Sequence, residues 1–205
     1  MNKLEIEVKF HVPDKDAVRE KIIALGAEPG ESHLETNIRF EDSDHSLVQK
    51  RSLLRLRQDT NATLTFKGDP DPSDTPETGQ YKIHKEIETT VGDFNATREI
   101  LEAVGFFPAQ IYEKHRETFH YGDTLICLDT MPYGNFIEIE GDGDRIQSLT
   151  DMLGLSWEKR ILANYLEMFE FIKNEHSLTF VNVTFDNFKD VTVDLPGLLA
   201  RFEAA

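Results

Sequence analysis

Carboxylates recur in this chain as pairs two residues apart: Glu5 and Glu7, Glu86 and Glu88, Glu138 and Glu140. Basic residues follow the same rule, in Arg55 and Arg57 and in Lys114 and Arg116, while Lys9 continues the Glu5–Glu7 line and Lys67 stands in phase with Thr63 and Thr65. An i, i+2 spacing puts both members of a pair on one face of a β-strand. The opposite faces are apolar: Leu4, Ile6, Val8 and Phe10; Leu54 and Leu56; Leu64 and Phe66; Ile137 and Ile139. Paired carboxylates can converge on one hard cation. Paired guanidiniums repel unless an anion or carboxylates sit between them, and arginine grips phosphate oxygens two at a time.

One strand with a charged face is ordinarily the wet side of an antiparallel sheet. Here the pattern recurs in segment after segment, and the charges come in same-sign pairs. Like charges at that spacing disfavour each other without a counter-ion among them. The economical solution is a sheet curled into a barrel or tunnel, with charges inward and the apolar face outward under helices. A carboxylate cluster inside suits Mg²⁺ or Mn²⁺, and a basic cluster suits phosphate. Together they fit a metal-bound polyphosphate.

The elements that must position these residues can be read in order. A strand covers about residues 2–12. Asp14 caps a helix running to about Leu25, with Val18, Ile22, Ile23 and Leu25 as its stripe and Gly26 as its stop. Further strands are expected at 35–40, 52–57 and 63–67, the last two joined by a turn at Asp59 to Asn61. Residues 68–80 form a Pro-rich acidic loop, long enough for a lid but read as an exposed connection. A strand at 81–90 puts His84, Glu86 and Glu88 on one face and Lys85 on the other, outer one; His84 is read as unliganded. A helix over 94–104 follows, capped by Asp93. Strands at 111–119, 124–129 and 135–140 come next. Helices are expected over 144–154 and 157–174, with Trp157, the one tryptophan, as a core anchor. A possible strand at 178–185 and a leucine-rich helical end close the chain.

The bulk numbers narrow the function. Net charge is −16 with a pI near 4.8, which argues against broad nucleic-acid or anionic-membrane binding without excluding an enclosed basic site. Cys127 is the one cysteine, so no intrachain disulfide or cysteine-rich zinc site can form, and a reducing cytoplasm is the expected home. No apolar run has the length of a membrane span, and the N-terminus reads as a strand rather than a signal peptide.

Glu5-x-Glu7-x-Lys9 resembles the ExExK signature of the CYTH superfamily, the triphosphate tunnel metalloenzymes. Leu54-Arg55-Leu56-Arg57, Phe66-Lys67, Glu86-x-Glu88, Lys114-x-Arg116, Asp129 and Glu138-x-Glu140 follow in the family's order over about residues 2–170. The resemblance implies an α+β fold, an eight-stranded antiparallel β-barrel or tunnel with helices packed outside. Residues 1–175 would form that domain, and 176–205 an extension packing on it or on a second copy in a homodimer. It implies metal-binding acids at Glu5, Glu7, Glu138 and Glu140, with Glu86, Glu88 and Asp129 as further candidates. It implies phosphate-binding bases at Lys9, Arg55, Arg57, Lys67, Lys114 and Arg116. Lys9, Lys114 and Glu88 are the expected catalytic groups. The family includes thiamine, inorganic and RNA triphosphatases and class IV adenylyl cyclases. A triphosphatase is favoured here, because cleaving a terminal phosphate needs no nucleobase pocket and none is evident. The substrate would be inorganic triphosphate, ATP or thiamine triphosphate. A cyclase making cyclic AMP and pyrophosphate is the alternative. A non-catalytic triphosphate-binding module is a third reading, weakened by the full acid set.

Overall fold

The computed structural model describes residues 3–70 and 79–203. Strands β1 (Lys3–His11), β2 (Glu28–Glu41), β3 (Leu53–Gln58), β4 (Ala62–Gly68), β5 (Lys82–Val91), β6 (Phe107–Tyr121), β7 (Thr124–Met131) and β8 (Gly134–Glu140) form one closed barrel. Its order is β1-β5-β4-β3-β2-β6-β7-β8, and every pairing is antiparallel. Closure leaves no free sheet edge. It also gives each strand one face toward an enclosed lumen and one toward the outside.

The outer face is the apolar one. Val8 and Phe10 of β1, Ile126 and Leu128 of β7, and Ile137 and Ile139 of β8 pack against Val18 and Ile22 of α1 (Lys15–Ala24) and Ile146, Leu149 and Leu153 of α4 (Gly143–Leu153). Both helices start at an aspartate cap: Asp14 accepts from the Ala17 N–H at 2.9 Å, and Asp142 from the Asp144 N–H at 3.1 Å. Gly154 ends α4 with φ +70°, a left-handed turn that costs glycine little. On the opposite flank Ile38, Phe40 and Leu56 pack against Leu101 of α3 (Phe94–Ala103). The short α2 (Ser46–Gln49) bridges β2 and β3.

A third cluster joins strand residues of the inward phase to the C-terminal region. Tyr112, Met131 and Phe136 pack with Tyr165, Met168 and Phe169 of α5 (Tyr165–Glu175). Phe188 of α6 (Phe185–Phe188) and Leu195 and Leu199 of α7 (Leu195–Leu199) complete it. That end of the lumen wall is therefore apolar and covered. No helix among the described residues is long and apolar enough to cross a membrane.

The structure corrects several expectations. The helix expected over 157–174 is two pieces: a 3₁₀ turn at Trp157–Lys159, then α5 from Tyr165. Ile161 is not helical, because its N–H donates to the Lys9 carbonyl at 2.7 Å. Asn164 then restarts the helix through a capping box with Glu167. The expected strand at 178–185 is a single bridge, Tyr112 to Val183, before α6 begins. β2 starts seven residues earlier than expected, at Glu28, and β6 four earlier, at Phe107. Residues 71–78 of the acidic loop lie outside the described residues.

A Cβ at Gly134 would overlap Leu195 Cδ1 in the C-terminal cluster. Replacing Gly134 by alanine is expected to cost about 1–3 kcal/mol through overpacking. The measurement is a thermal melt, and an unchanged Tm would show that Leu195 does not fill that space.

Candidate active site

Every second residue of the strands faces the lumen, and most of these are ionisable. On β1 and β8, Lys9 Nζ lies 2.8 Å from Glu138, which also accepts from Arg116. Lys67 of β4 donates to Glu5, and Lys82 of β5 donates to Glu7 at 2.6 Å. Glu86 stands 3.4 Å from Lys67. Glu140 is the register partner of Glu7 across the β1–β8 pairing.

The other side of the lumen is richer in arginine. Arg55 reaches the Thr65 hydroxyl at 3.2 Å and the Tyr112 hydroxyl at 3.4 Å. Glu88 accepts from Thr65 at 2.7 Å and lies 3.6 Å from Arg55 and 3.7 Å from Arg57. Asp129 accepts from Lys114 at 3.0 Å and from Arg116 Nε at 2.7 Å. Tyr165, reaching in from α5, donates its hydroxyl to Asp129 at 2.8 Å, and Lys9 Nζ sits 4.2 Å from the centre of its ring.

These contacts divide the expected site residues into three groups. Glu5, Glu86 and Lys67 form one, and Glu7 is held beside it by Lys82. Lys9, Lys114, Arg116, Asp129 and Glu138 form a second. Arg55, Arg57 and Glu88 form a third. Glu140 shares the inward phase of Glu138. Trp157 stands outside the tunnel, edge-on to Tyr81 with Arg160 over its ring.

Burial and neighbours tune the charges in opposite directions. Burial pushes the Glu7 carboxyl up, but Lys82, Lys9 and Lys67 outweigh it and hold the pKa at about 2. Glu138 is likewise driven well below the usual carboxylate range by Lys9, Arg116 and Lys114, against its burial. Burial, with Lys82 and Lys67 nearby, lowers the His84 imidazole pKa, so it is neutral at pH 7. Cys127, in phase with Asp129, has its thiol pushed up to about 12 by burial and stays protonated and unreactive.

Sequence reasoning missed several lumen residues. Lys82 continues the His84–Glu86–Glu88 face by one step, so its alternation was readable. So was that of Glu35, Asn37 and Arg39, which alternate with the outward Ile38 and Phe40. Tyr165 had no such signal, because it comes from a helix and its position depends on the closed fold.

Glu35 is the hub of the basic side. It is 1% exposed, with Lys114 at 3.6 Å and Arg57 and Arg116 each at 3.9 Å. His33, Glu35 and Asp59 bring ligand atoms within 4.8 Å of one another. Arg57 Nε, however, lies 2.9 Å from Asp59, so a guanidinium already serves these acids and a cation there would meet like charge. The acids of β1 and β8 are likewise paired, Glu5 with Lys67, Glu7 with Lys82 and Glu138 with Lys9, so a cation at either place would have to displace a base.

A closed antiparallel barrel that turns its apolar face outward and its ionisable face inward is a β-tunnel protein. The CYTH domain model matches residues 3–165, and the chain belongs to that family. A Methanocaldococcus jannaschii protein named "putative adenylate cyclase" is 26% identical over 80% of this chain and 98% of its own. A solved Vibrio parahaemolyticus structure bearing the same name superposes with a TM-score of 0.71 at 22% identity, over 83% of this chain and 99% of that one. A Hippeastrum protein, described as a putative adenylyl cyclase with a dominant triphosphatase activity, superposes with a TM-score of 0.58 at 18% identity, over 81% and 95%.

Burial pushes the Glu35 carboxyl up, but Lys114, Arg116, Arg57 and Arg55 bring it far below its ordinary 4.5. A depressed carboxyl adds stability that is present above its unfolded pKa and lost as pH falls below it. Glu35→Gln is expected to cost about 1–2 kcal/mol at pH 7, because it removes one shared counter-charge while Lys114, Arg116 and Arg57 each keep another carboxylate. That deficit should shrink as pH falls below 4.5. Urea unfolding at stepped pH measures it, and a pH-independent deficit would contradict the assignment.

Proposed function

We propose that the tunnel is the active site of a divalent-metal-dependent triphosphatase acting on inorganic or organic triphosphate. The observation that carries this reading is one lumen shared by two chemistries: Glu5, Glu7 and Glu138 with oxygen donors alone, and Arg55, Arg57, Lys114 and Arg116 as phosphate-shaped donors. Glu5, Glu7, Glu138 and Glu140 would hold Mg²⁺ or Mn²⁺, with Glu86, Glu88 and Asp129 as further candidates. When bound, the metal supplies charge neutralisation and Lewis acidity. Asp129 is the least available of these acids, because Lys114, Arg116 and Tyr165 already occupy its oxygens.

Lys67 and Lys82 are the counter-ions of Glu5 and Glu7. They exchange these carboxylates for phosphate oxygens when metal and substrate bind together, so each buried charge keeps a partner. Arg55, Arg57 and Arg116 orient the phosphates bidentately. Glu88, held by Thr65 beside two guanidiniums, accepts a proton from the attacking water. The water oxygen bonds to the terminal phosphorus, the bond to the bridging oxygen breaks, and diphosphate leaves with the electron pair. Lys9 and Lys114 stabilise the charge that shifts to the leaving group.

The name borne by the Methanocaldococcus and Vibrio proteins favours a second reading, in which ATP occupies the same cradle. The ribose 3′-hydroxyl would then attack the α-phosphorus and expel pyrophosphate. The Hippeastrum protein's description supports the hydrolase instead.

A product assay with Mg²⁺ or Mn²⁺ on inorganic triphosphate, ATP and thiamine triphosphate separates the readings. Orthophosphate release is expected, abolished by chelation and reduced about a hundredfold or more in Glu7→Gln. Cyclic AMP with pyrophosphate as the ATP products would establish the cyclase in its place.

A further inference from the structure

Arg39 belongs to none of the three ion-pair groups of the lumen. It alternates inward with Asn37 and stands directly opposite Arg55 across the β2–β3 pairing. Asn37 stands opposite Arg57 in the same register. Three corners of this patch of inner wall are therefore arginines. Like charges directly opposite in an antiparallel pair destabilise each other. The side chain of Arg39 is 23% exposed, so water screens the repulsion only in part.

Arg39 is the most loosely paired of the lumen bases. Each of Lys9, Arg55, Arg57, Lys67, Lys82, Lys114 and Arg116 has a lumen carboxylate within 3.7 Å. Arg39 has Glu41 at 3.9 Å, a carboxylate that it shares with the backbone at the start of α2. Its Oε1 accepts from the Leu47 N–H at 2.9 Å and its Oε2 from the Val48 N–H at 3.0 Å, tying it to the start of α2. The Nε atoms of Arg39 and Arg55 are both buried without an acceptor. A buried donor left without a partner is costly, and a phosphate oxygen between two guanidiniums would satisfy both.

We propose that Arg39, with Arg55, forms an anion subsite that takes a phosphoryl group beyond the three bound by the rest of the tunnel. The preferred substrate class is then a linear polyphosphate longer than triphosphate. This rests on the triphosphate reading of the lumen. The exchange of Lys67 and Lys82 from carboxylates to phosphates does not involve Arg39, whose unsatisfied Nε donor remains for the added group.

Calorimetry with inorganic tripolyphosphate, tetrapolyphosphate and ATP, each with saturating Ca²⁺ so that a hard cation and the polyanion enter together without the Mg²⁺ or Mn²⁺ that turnover uses, tests the subsite. The wild-type chain is expected to bind tetrapolyphosphate about tenfold more tightly than tripolyphosphate, the worth of one charge-assisted contact. Arg39→Gln should lose that preference while binding tripolyphosphate within about twofold of wild type. Retained tripolyphosphate binding also reports that the variant is folded. Arg39→Lys, which keeps the charge, should retain part of the preference. No preference in the wild type, or an equal loss on both inorganic ligands, overturns the subsite. A loss on ATP without a loss on tetrapolyphosphate also overturns it, by assigning Arg39 to a base instead. Turnover is assayed separately with Mg²⁺. Absence of phosphate release would overturn the triphosphatase, and the ratio of binding constants would still decide the role of Arg39.

Discussion

Mutual neutralisation of buried charge is the constraint on which the rest of this structure depends. Lys9, Glu35, Lys114 and Asp129 are each no more than 3% exposed. An ion taken out of water alone costs several kcal/mol even after relaxation. The lumen tolerates these ions because opposite charges meet across strands: Lys9 with Glu138, Lys114 with Asp129 and Glu35, Arg116 with Asp129 and Glu138. Lys9 and Glu138 meet across the β1–β8 pairing, Glu35 and Lys114 across β2–β6, and Arg116 and Asp129 across β6–β7. Strand pairing and charge pairing are therefore set by the same register.

An inward polar face leaves the apolar face outside, and the helices follow from that. Strand residues such as Val8, Ile126 and Ile139 would face water without α1 and α4. Where the inward phase itself turns apolar, at Met131 and Phe136, α5 and the segments after it supply the cover. The polar tip of that cover is Tyr165, whose hydroxyl completes the set of donors around Asp129. Burial, with Asp129 and Glu138 nearby, raises the Tyr165 pKa well above 10, so the hydroxyl keeps the proton it donates. The apolar cover is thus joined to the ionic mesh through one side chain.

How much of this could be read from the chain depended on whether the information was local. Period-two alternation is local, so the inward faces of β1, β3, β5 and β8 were legible from Glu5, Arg55, Glu86 and Glu138. The caps at Asp14 and Asp93 were legible for the same reason. Glu35, Asn37 and Arg39 alternate just as clearly. They lack the same-sign pairing that marks the other inward faces, because Glu35 is an isolated acid beside an amide. The split at Ile161 was not legible, since the apolar spacing from Trp157 to Ile172 fits a continuous helix. What breaks it is the hydrogen bond from Ile161 to Lys9, a partner far away in sequence. Val183 is similar: its strand-like neighbourhood finds only Tyr112 to pair with.

The overall charge of −16 and the lumen of paired opposite charges are two aspects of one arrangement. A surface rich in carboxylates repels polyanions at long range, but with a Debye length of about 8 Å in physiological salt that repulsion fades before it reaches an enclosed site. Inside, low dielectric strengthens whatever pairing the ligand offers. A triphosphate arriving with its divalent cation brings both signs of charge together, as the lumen itself does. Replacing protein–protein ion pairs by protein–ligand ones keeps the number of unpaired buried charges low throughout. A bare polyanion would leave Glu5 and Glu7 without their lysines, and a bare cation would leave Lys67 and Lys82 without their glutamates. On the proposed function, the ion pairs that stabilise the closed barrel therefore also select for the two ligands in combination.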